Sequence, residues 1–352
     1  MLDMNNCKVP VSLSIKDAVR RMDEAGIGFC VCVDDLDKVV GVLSDGDFRR
    51  AVLNGYNLDS CVDNIINRDF CHINSDYSRH DIEKIFLKSF VQHIPVIDEG
   101  ELLDIITEES FFGIQREGRK IYLDNPVVIM AGGKGKRMDP FTRILPKPLI
   151  PLGDEPIIKV IMDEFNKYGI ENFYVSLNDK GKMIKAYFHD HSSPYTLHYI
   201  EEEKPLGTAG ALKYLEGEFD TPFFVSNCDI ILRTDYKSVL DFHTNGSYAM
   251  TIVASMRNYK IPYGVCDVGN SGELNSISEK PEYDFLVNTG VYIVEPDVLK
   301  FVPKNSYFDM PDLIKKLKDN ELKVGVFPVS EKSWADAGQW SEYNETVKNL
   351  HL

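Results

Sequence analysis

At 352 residues, with 43% of them hydrophobic, the chain has length and apolar content for about two domains with cores of ordinary size. A formal net charge of −16 argues against nucleic acid as a partner, because a polyanion gains nothing from an acidic surface. No run approaches the ~20 apolar residues that span a bilayer, and no basic stretch with an apolar core opens the chain, so a soluble cytoplasmic protein is expected. The seven cysteines are an odd number without a C-x-x-C pair, and reduced, mostly buried thiols are expected.

The first third carries a weak internal repeat. Residues 17–48 read as a helix, a strand at 29–33, an acidic turn, a strand at 39–43, and then Ser44-Asp45-Gly46-Asp47 opening a second helix. About 63 residues later the same order returns, with a helix at 81–87, strands at 93–97 and 102–106, and Thr107-Glu108-Glu109-Ser110. Two copies of one β-α unit imply a pseudo-symmetric module. This module resembles a tandem CBS pair, through Gly41-Val42-Leu43-Ser44-Asp45-Gly46-Asp47 above all. The resemblance implies an adenine nucleotide as ligand, with Asp47 on its ribose and Ser44 on a phosphate. The second copy has Asp104 where Gly41 stood and Ser110 where Asp47 stood, so at most one competent ligand site is expected. The other reading is that the module only dimerises; CBS pairs commonly associate face to face, and a homodimer is the default expectation.

Glu117-Gly118-Arg119-Lys120 forms a short polar connection, which sets the expected domains at 1–120 and 121–352. From Pro126 onward, helical runs such as 157–168 alternate with apolar strands such as 172–177, 196–200 and 223–225. That alternation predicts an α/β fold with a largely parallel sheet and ligands at the carboxyl ends of its strands. No hexapeptide repeat follows, so a β-helix tail is not expected.

The strand Val127-Val128-Ile129-Met130 runs into Ala131-Gly132-Gly133-Lys134-Gly135-Lys136-Arg137, with Pro146-Lys147-Pro148-Leu149 shortly after. Neither P-loop nor dinucleotide-binding spacing is present. Glycines let the backbone approach a phosphate and aim N–H groups at it, while Arg137 and Lys147 neutralise charge that develops in phosphoryl chemistry. In so acidic a chain the cations Lys134, Lys136, Arg137, Arg143 and Lys147 mark a site for a small anionic substrate. Glycines after a strand also make a plain turn, and the extension to Arg137 and Lys147 is what weighs against that.

At this point the chain resembles the sugar-1-phosphate nucleotidyltransferases, whose signature is A-G-G-x-G-x-R followed by P-K-P-L. The resemblance implies a GT-A-like, Rossmann-like mixed sheet with Ala131, Gly132, Gly133 and Gly135 around the triphosphate. Lys136 departs from it, since the family usually has a small or hydroxyl residue there. Glu201-Glu202-Glu203-Lys204 leads from a strand into Pro205-Leu206-Gly207-Thr208-Ala209-Gly210, which matches the segment used near the nucleobase, with Glu203 nearby, Gly207 allowing approach and Thr208 offering a hydroxyl. As a bare pattern the same segment is a helix start capped by Thr208.

Phe223 to Asp229 is an apolar strand ending in an acid, the kind of place where Mg²⁺ is held through oxygen. The resemblance pairs Asp229 with Asp336 of Trp334-Ala335-Asp336-Ala337-Gly338, although either Asp alone also reads as a cap or turn residue. Cys228 stands where the family usually has glycine. Gly264, Glu279, Lys280 and Asn288, within Tyr263-Gly264-Val265, Glu279-Lys280-Pro281 and Asn288-Thr289-Gly290, match the sugar-phosphate segments, with Asn288 beginning a strand.

The implied reaction is attack of a sugar-1-phosphate oxygen on the α-phosphorus of a nucleoside triphosphate. Arg137 would hold the leaving pyrophosphate, Lys147 the α-phosphate region and Lys280 the attacking phosphate, with Asp229 and Asp336 carrying Mg²⁺. The G-T-A-G form of the base segment, behind a CBS pair, is similar to guanylyltransferases acting on glucosamine 1-phosphate in legionaminic acid synthesis. Mannose- or heptose-1-phosphate guanylyltransferases and uridylyl- or cytidylyltransferases are the enzyme alternatives. From another class, the chain reads as a non-catalytic nucleotide-sensing subunit.

Overall fold

The computed structural model describes residues 4–88, 91–112, 122–133, 135–178, 180–190, 194–338 and 343. Two units divide the chain, Met1–Arg119 and Lys120–Leu352. The polar connection at 117–120 lies outside the described residues, as does Lys134. Among the described residues no helix is long and apolar enough to cross a membrane.

In the first unit, helix α1 (Met4–Cys7), strand β1 (Lys8–Pro10), α2 (Ile15–Ala25), β2 (Phe29–Val33), β3 (Val39–Ser44) and α3 (Asp45–Leu53) form the first copy. The second copy follows as α4 (Arg79–Lys88), β4 (His93–Asp98), β5 (Glu101–Thr107) and α5 (Glu108–Phe112). β2 pairs parallel with β1 and antiparallel with β3, while β4 and β5 form an antiparallel pair. Phe29, Val31 and Val42 of one copy share a core with Leu102 and Ile105 of the other, and Phe29 stacks on His93 at 4.8 Å.

The repeat extends to how the helices start. Ser44 caps α3, its hydroxyl accepting from Asp47 N at 3.3 Å while the Asp47 carboxylate accepts from Ser44 N at 2.9 Å. Ser78 and Asp81 repeat that reciprocal arrangement before α4, and Thr107 and Ser110 before α5. Ser14 accepts from Asp17 N in the same way at α2. Each such cap satisfies an orphan N–H of the first helical turn and contributes about 1 kcal/mol. Gly41 is required where it stands, because a Cβ there would lie 2.9 Å from both Asn67 O and Ile66 Cδ1; its counterpart Asp104 is exposed.

In the second unit, β6 (Val127–Met130), β7 (Pro151–Leu152), β8 (Glu155–Pro156), α6 (Ile157–Asn166), β9 (Asn172–Leu177), α7 (Gly181–Asp190), β10 (Thr196–Glu201), β11 (Phe223–Asn227) and β12 (Ile230–Leu232) come first. They are followed by α8 (Tyr236–Gly246), β13 (Met250–Lys260), β14 (Val265–Val268), β15 (Leu274–Ser278), β16 (Glu282–Val294), α9 (Met310–Asp319), β17 (Val324–Val329) and β18 (Trp334–Asp336). Seven strands make the main sheet in the order β10-β9-β6-β11-β16-β13-β17. β16 alone runs antiparallel to its neighbours, so the sheet is mixed, as the resemblance implies.

β6 is apolar at every position, and the alternation along β6 and β11 feeds two cores. Val127, Ile129 and Phe224 face Phe165 and Phe173, while Val128, Met130 and Val225 face Leu212 and Leu313. Each such buried side chain contributes roughly 1.5–3 kcal/mol. Because β6, β9, β10 and β11 are parallel, their carboxyl ends at Met130, Leu177, Glu201 and Asn227 share one edge of the sheet.

One expectation about β16 is corrected. Asn288 does not begin a strand; it lies inside β16, at a register shift where Val253 of β13 has no direct partner in β16. Thr289 Oγ1 donates to Val253 O at 2.8 Å across that bulge, and Gly290 takes a left-handed φ of 88°.

Candidate active site

The loops leaving that shared edge enclose a cleft of about 400 Å³ lined by Gly132, Gly133, Gly135, Arg137, Lys147, Gly207, Thr208 and Asp229, all named by the sequence, together with Ser176, Glu202, Asn227, Tyr307 and Asp309 among others. On the β6 side, Ala131 is buried behind the lining, its N–H donating to Ser176 Oγ at 3.2 Å. Gly135 has a φ of 63°, and a Cβ there would come within 2.8 Å of Thr142. Thr142 in turn donates to Gly135 O at 3.0 Å, and Lys180 Nζ donates to Thr142 O at 2.6 Å, tying the loop to the end of β9. Arg137 is exposed at the cleft, whereas Arg143 makes a two-pronged pair with Asp139 at 2.7 Å for each bond and does not line it.

Lys147, 9% exposed, is ion-paired to Asp229, 7% exposed. β12 carries the chain on from Asp229 and pairs with β18, setting Asp336 opposite Ile230, and Ala337 N donates to Asp229 O at 2.8 Å. A Cβ added at Gly338 would lie 2.4 Å from Asp229 Oδ2, 2.7 Å from Asp336 Oδ1 and 2.8 Å from Lys147 Nζ, so glycine is what lets the three groups converge. Burial first, then the Asp229 charge, raises the Asp336 carboxyl above its usual range, while Lys147 and Arg137 pull it back. Two carboxylates in such a cradle suit Mg²⁺, which binds through one or two protein carboxylates and completes its shell with water and phosphate oxygens. Cys228 fits beside them, its thiol pushed up by burial to about 12 and therefore protonated.

On the opposite side the structure differs from expectation in two respects. Glu202 lines the cleft, while Glu203 is exposed and does not line it. Side chains alternate along an extended segment, so only one of two successive glutamates turns inward. Glu202 Oε2 accepts from Leu206 N at 2.9 Å, Oε1 is buried without a partner, and a Cβ on Gly132 would lie 2.4 Å from Oε1. Burial raises the Glu202 carboxyl, against the pull of its bonds from Leu206 and Ser176. Thr208 is engaged as well, donating to Asp309 Oδ1 at 3.1 Å and accepting from Met310 N at 2.9 Å. It therefore caps α9 rather than the short helix that follows it in the chain.

Gly264, Glu279, Lys280 and Asn288 do not line the cleft. Gly264 sits against Glu279, with a Cβ there 3.0 Å from Glu279 Oε2, and Lys280 is exposed with a φ of 48°. Asn288 donates to Tyr292 OH at 2.7 Å and accepts from Gly290 N at 3.0 Å; Gly290 packs on Asn227, so Asn288 reaches the cleft only through its neighbours. Glu202, Asn227, Tyr307 and Asp309 were not singled out from the sequence. Asn227 ends the strand before Asp229, and Asp309-x-x-Asp312 is a readable capping box, but nothing local places that box beside Thr208.

A strand-edge cleft with glycines on one wall and a lysine among paired carboxylates belongs to a recognisable class. The sequence profile of the nucleotidyl transferase family matches residues 126–351, and the chain belongs to that family. The CBS domain profile matches residues 5–54 and 62–116. Among characterised relatives, a mannose-1-phosphate guanyltransferase of Aspergillus fumigatus is 33% identical over 61% of this chain and 61% of its own length. One of Debaryomyces hansenii is 30% identical over 61% and 62%, and a UTP–glucose-1-phosphate uridylyltransferase of Synechocystis is 26% identical over 63% and 62%. The chain thus spans about 62% of the length of these relatives. Among solved structures, HddC of Yersinia pseudotuberculosis, also solved with GMP-PN, shares the fold at a TM-score of 0.51 and 23% identity, over 64% of this chain and 99% of its own.

Proposed function

We propose that the chain transfers a guanylyl group from GTP to a sugar 1-phosphate, with glucosamine 1-phosphate as the best substrate, releasing pyrophosphate. The observation that carries the choice of base is Glu202, whose carboxylate lines the cleft and has one buried oxygen, packed against Gly132, without a partner. Guanine presents two adjacent donors, N1–H and N2–H, that a carboxylate accepts together. Uracil offers a single N–H flanked by carbonyl oxygens, which a carboxylate repels. The guanyltransferase names among the relatives agree with this reading, and the choice of glucosamine rests on the resemblance of the G-T-A-G segment behind a CBS pair.

In the reaction a sugar-phosphate oxygen forms a bond to the α-phosphorus as the bond from that phosphorus to the bridging β-phosphate oxygen breaks. The nucleophile is already an anion, so no general base is needed. Positioning and charge neutralisation do the work. Arg137 meets the leaving pyrophosphate and Lys147 the α-phosphate, with the Gly132-Gly133 backbone alongside. Lys280 and Glu279 receive the sugar phosphate and its hydroxyls, with Gly264 and Asn288 beside them. Asp229 and Asp336 would hold Mg²⁺, which neutralises phosphate charge when bound. Ser44 and Asp47 would receive an adenine nucleotide in the N-terminal unit, and the chain would act as a homodimer.

The test is pyrophosphate release with Mg²⁺ over a grid of GTP, UTP, CTP, ATP and dTTP against the 1-phosphates of glucosamine, N-acetylglucosamine, mannose, glucose and heptose. The expected result is one strong response, for GTP with glucosamine 1-phosphate. A dominant UTP response overturns the choice of base. A blank grid, repeated with AMP and ATP as effectors, overturns catalysis and leaves the regulatory reading.

A further inference from the structure

The base side of the cleft is held by a contact between segments a hundred residues apart. Phe308 N donates to Leu206 O at 2.9 Å, and Ala209 N and Gly210 N both donate to Phe308 O at 3.0 Å. Asp309 Oδ1 accepts from Thr208 N at 2.8 Å and from Thr208 Oγ1 at 3.1 Å. The approach is so close that a Cβ on Gly207, which has a φ of 81°, would lie 2.7 Å from both Asp309 Oδ1 and Phe308 O. Tyr307 directly precedes these two residues, so the same contacts hold its backbone. Tyr307 leaves 66% of its surface exposed and lines the cleft.

An exposed aromatic ring on a fixed backbone beside such a cleft has an obvious use. Bases stack on aromatic faces with about 1–3 kcal/mol per base, whatever their hydrogen-bonding edge. Glu202, which lines the same cleft and has one buried oxygen without a partner, would supply an edge contact for the base whose face the ring would cover. We propose that Asp309 is a positioning residue that locks the Leu206-Gly207-Thr208 wall to the start of α9 and presents the Tyr307 ring as a stacking platform for the nucleobase. This rests on the cleft being a triphosphate site, and it does not depend on which base is preferred.

Steady-state kinetics and calorimetric binding of GTP, UTP and CTP with Mg²⁺ to the full chain test it, using Tyr307→Ala, Tyr307→Phe, Asp309→Ala and Asp309→Asn. Tyr307→Ala is expected to raise KM and Kd for the accepted triphosphate about tenfold, with kcat and the sugar-phosphate KM within twofold. Tyr307→Phe should restore most of the lost affinity. Asp309→Ala should show the same loss confined to the triphosphate KM, and Asp309→Asn, which keeps an acceptor for Thr208, a smaller one. Tyr307 is a surface residue, so its replacement does not endanger the fold. An unchanged triphosphate KM and Kd in Tyr307→Ala overturns the platform even where GTP is the substrate. Equal losses for both substrates in Asp309→Ala, with a lowered Tm, overturn the positioning role. If UTP proves to be the accepted triphosphate and Tyr307→Ala still weakens it, the guanine reading fails and the platform stands. Absence of any triphosphate binding to the wild type overturns both.

Discussion

Carboxylates behave differently in the two units. In the N-terminal unit the acids that open helices turn back on their own caps: Asp17 on Ser14, Asp47 on Ser44, Asp81 on Ser78. Those local bonds satisfy them, and the Ser78 bonds lower the exposed Asp81 carboxyl. In the C-terminal unit Glu202, Asp229 and Asp336 are gathered by loops from different strands, and burial raises Glu202 and Asp336 instead. A short Ser-x-x-Asp spacing stabilises the helix that carries it. Acids brought together at the end of a sheet carry an electrostatic cost that a bound cation or a base edge relieves.

The comparison is tested hardest at Asp229. Asp229→Asn is expected to lower kcat by roughly 100–1000-fold, as loss of a carboxylate that would hold the charge-neutralising Mg²⁺ does, while circular dichroism and Tm show an intact fold. Wild-type turnover in that variant ends the metal assignment.

Asp45 is an instructive exception, an acid opening α3 in the N-terminal unit that burial raises to about 6. In the same unit burial lowers His93 to about 4. The raised Asp45 costs stability as pH climbs from about 4 to 6, whereas the lowered His93 costs stability as pH falls from about 6.5 to 4. Each amounts to roughly 3 kcal/mol and the two oppose each other. Denaturant melts between pH 4 and 7 should therefore be nearly flat for the wild type. Asp45→Asn should make stability rise with pH, and His93→Phe should make it fall. The reverse slopes would show that burial does not set these groups.

Glu202→Gln is expected to lower kcat/KM for GTP by about 30-fold, near 2 kcal/mol, and to affect UTP much less. Equal losses on both nucleotides would mean that Glu202 supports the wall without reading the base. The smallest effect is expected at Asp47→Ala, about 1 kcal/mol of stability from the broken cap, together with weaker adenine nucleotide binding by calorimetry. A parent protein that binds no adenine nucleotide removes the ligand role and leaves Asp47 a cap.

Much of this was legible in the sequence because it is written locally. The strand at 29–33 and the one at 172–177 are apolar runs bounded by turns, and the structure returns both as β2 and β9. The glycine loop and Asp229 follow the ends of β6 and β11, which parallel topology brings together, and Arg137 and Lys147 sit in short helical turns of the segment after β6. What was hidden depends on pairs distant in the chain. The choice between Glu202 and Glu203 hangs on which of two adjacent residues turns inward, and the bulge around Gly290 on a register that only the paired β13 defines. Thr208 looked available because its partner, Asp309, lies on another element.

The clasp between Leu206-Gly207-Thr208 and Phe308-Asp309 also says something about the order of folding. Between its two ends the chain lays down β11, β13 and β16, the centre of the main sheet. Closing a loop of that length waits until those strands have paired. The clasp is therefore expected to close after β11, β13 and β16 have paired, and its integrity reports on those strands but not on β17, which follows it in the chain.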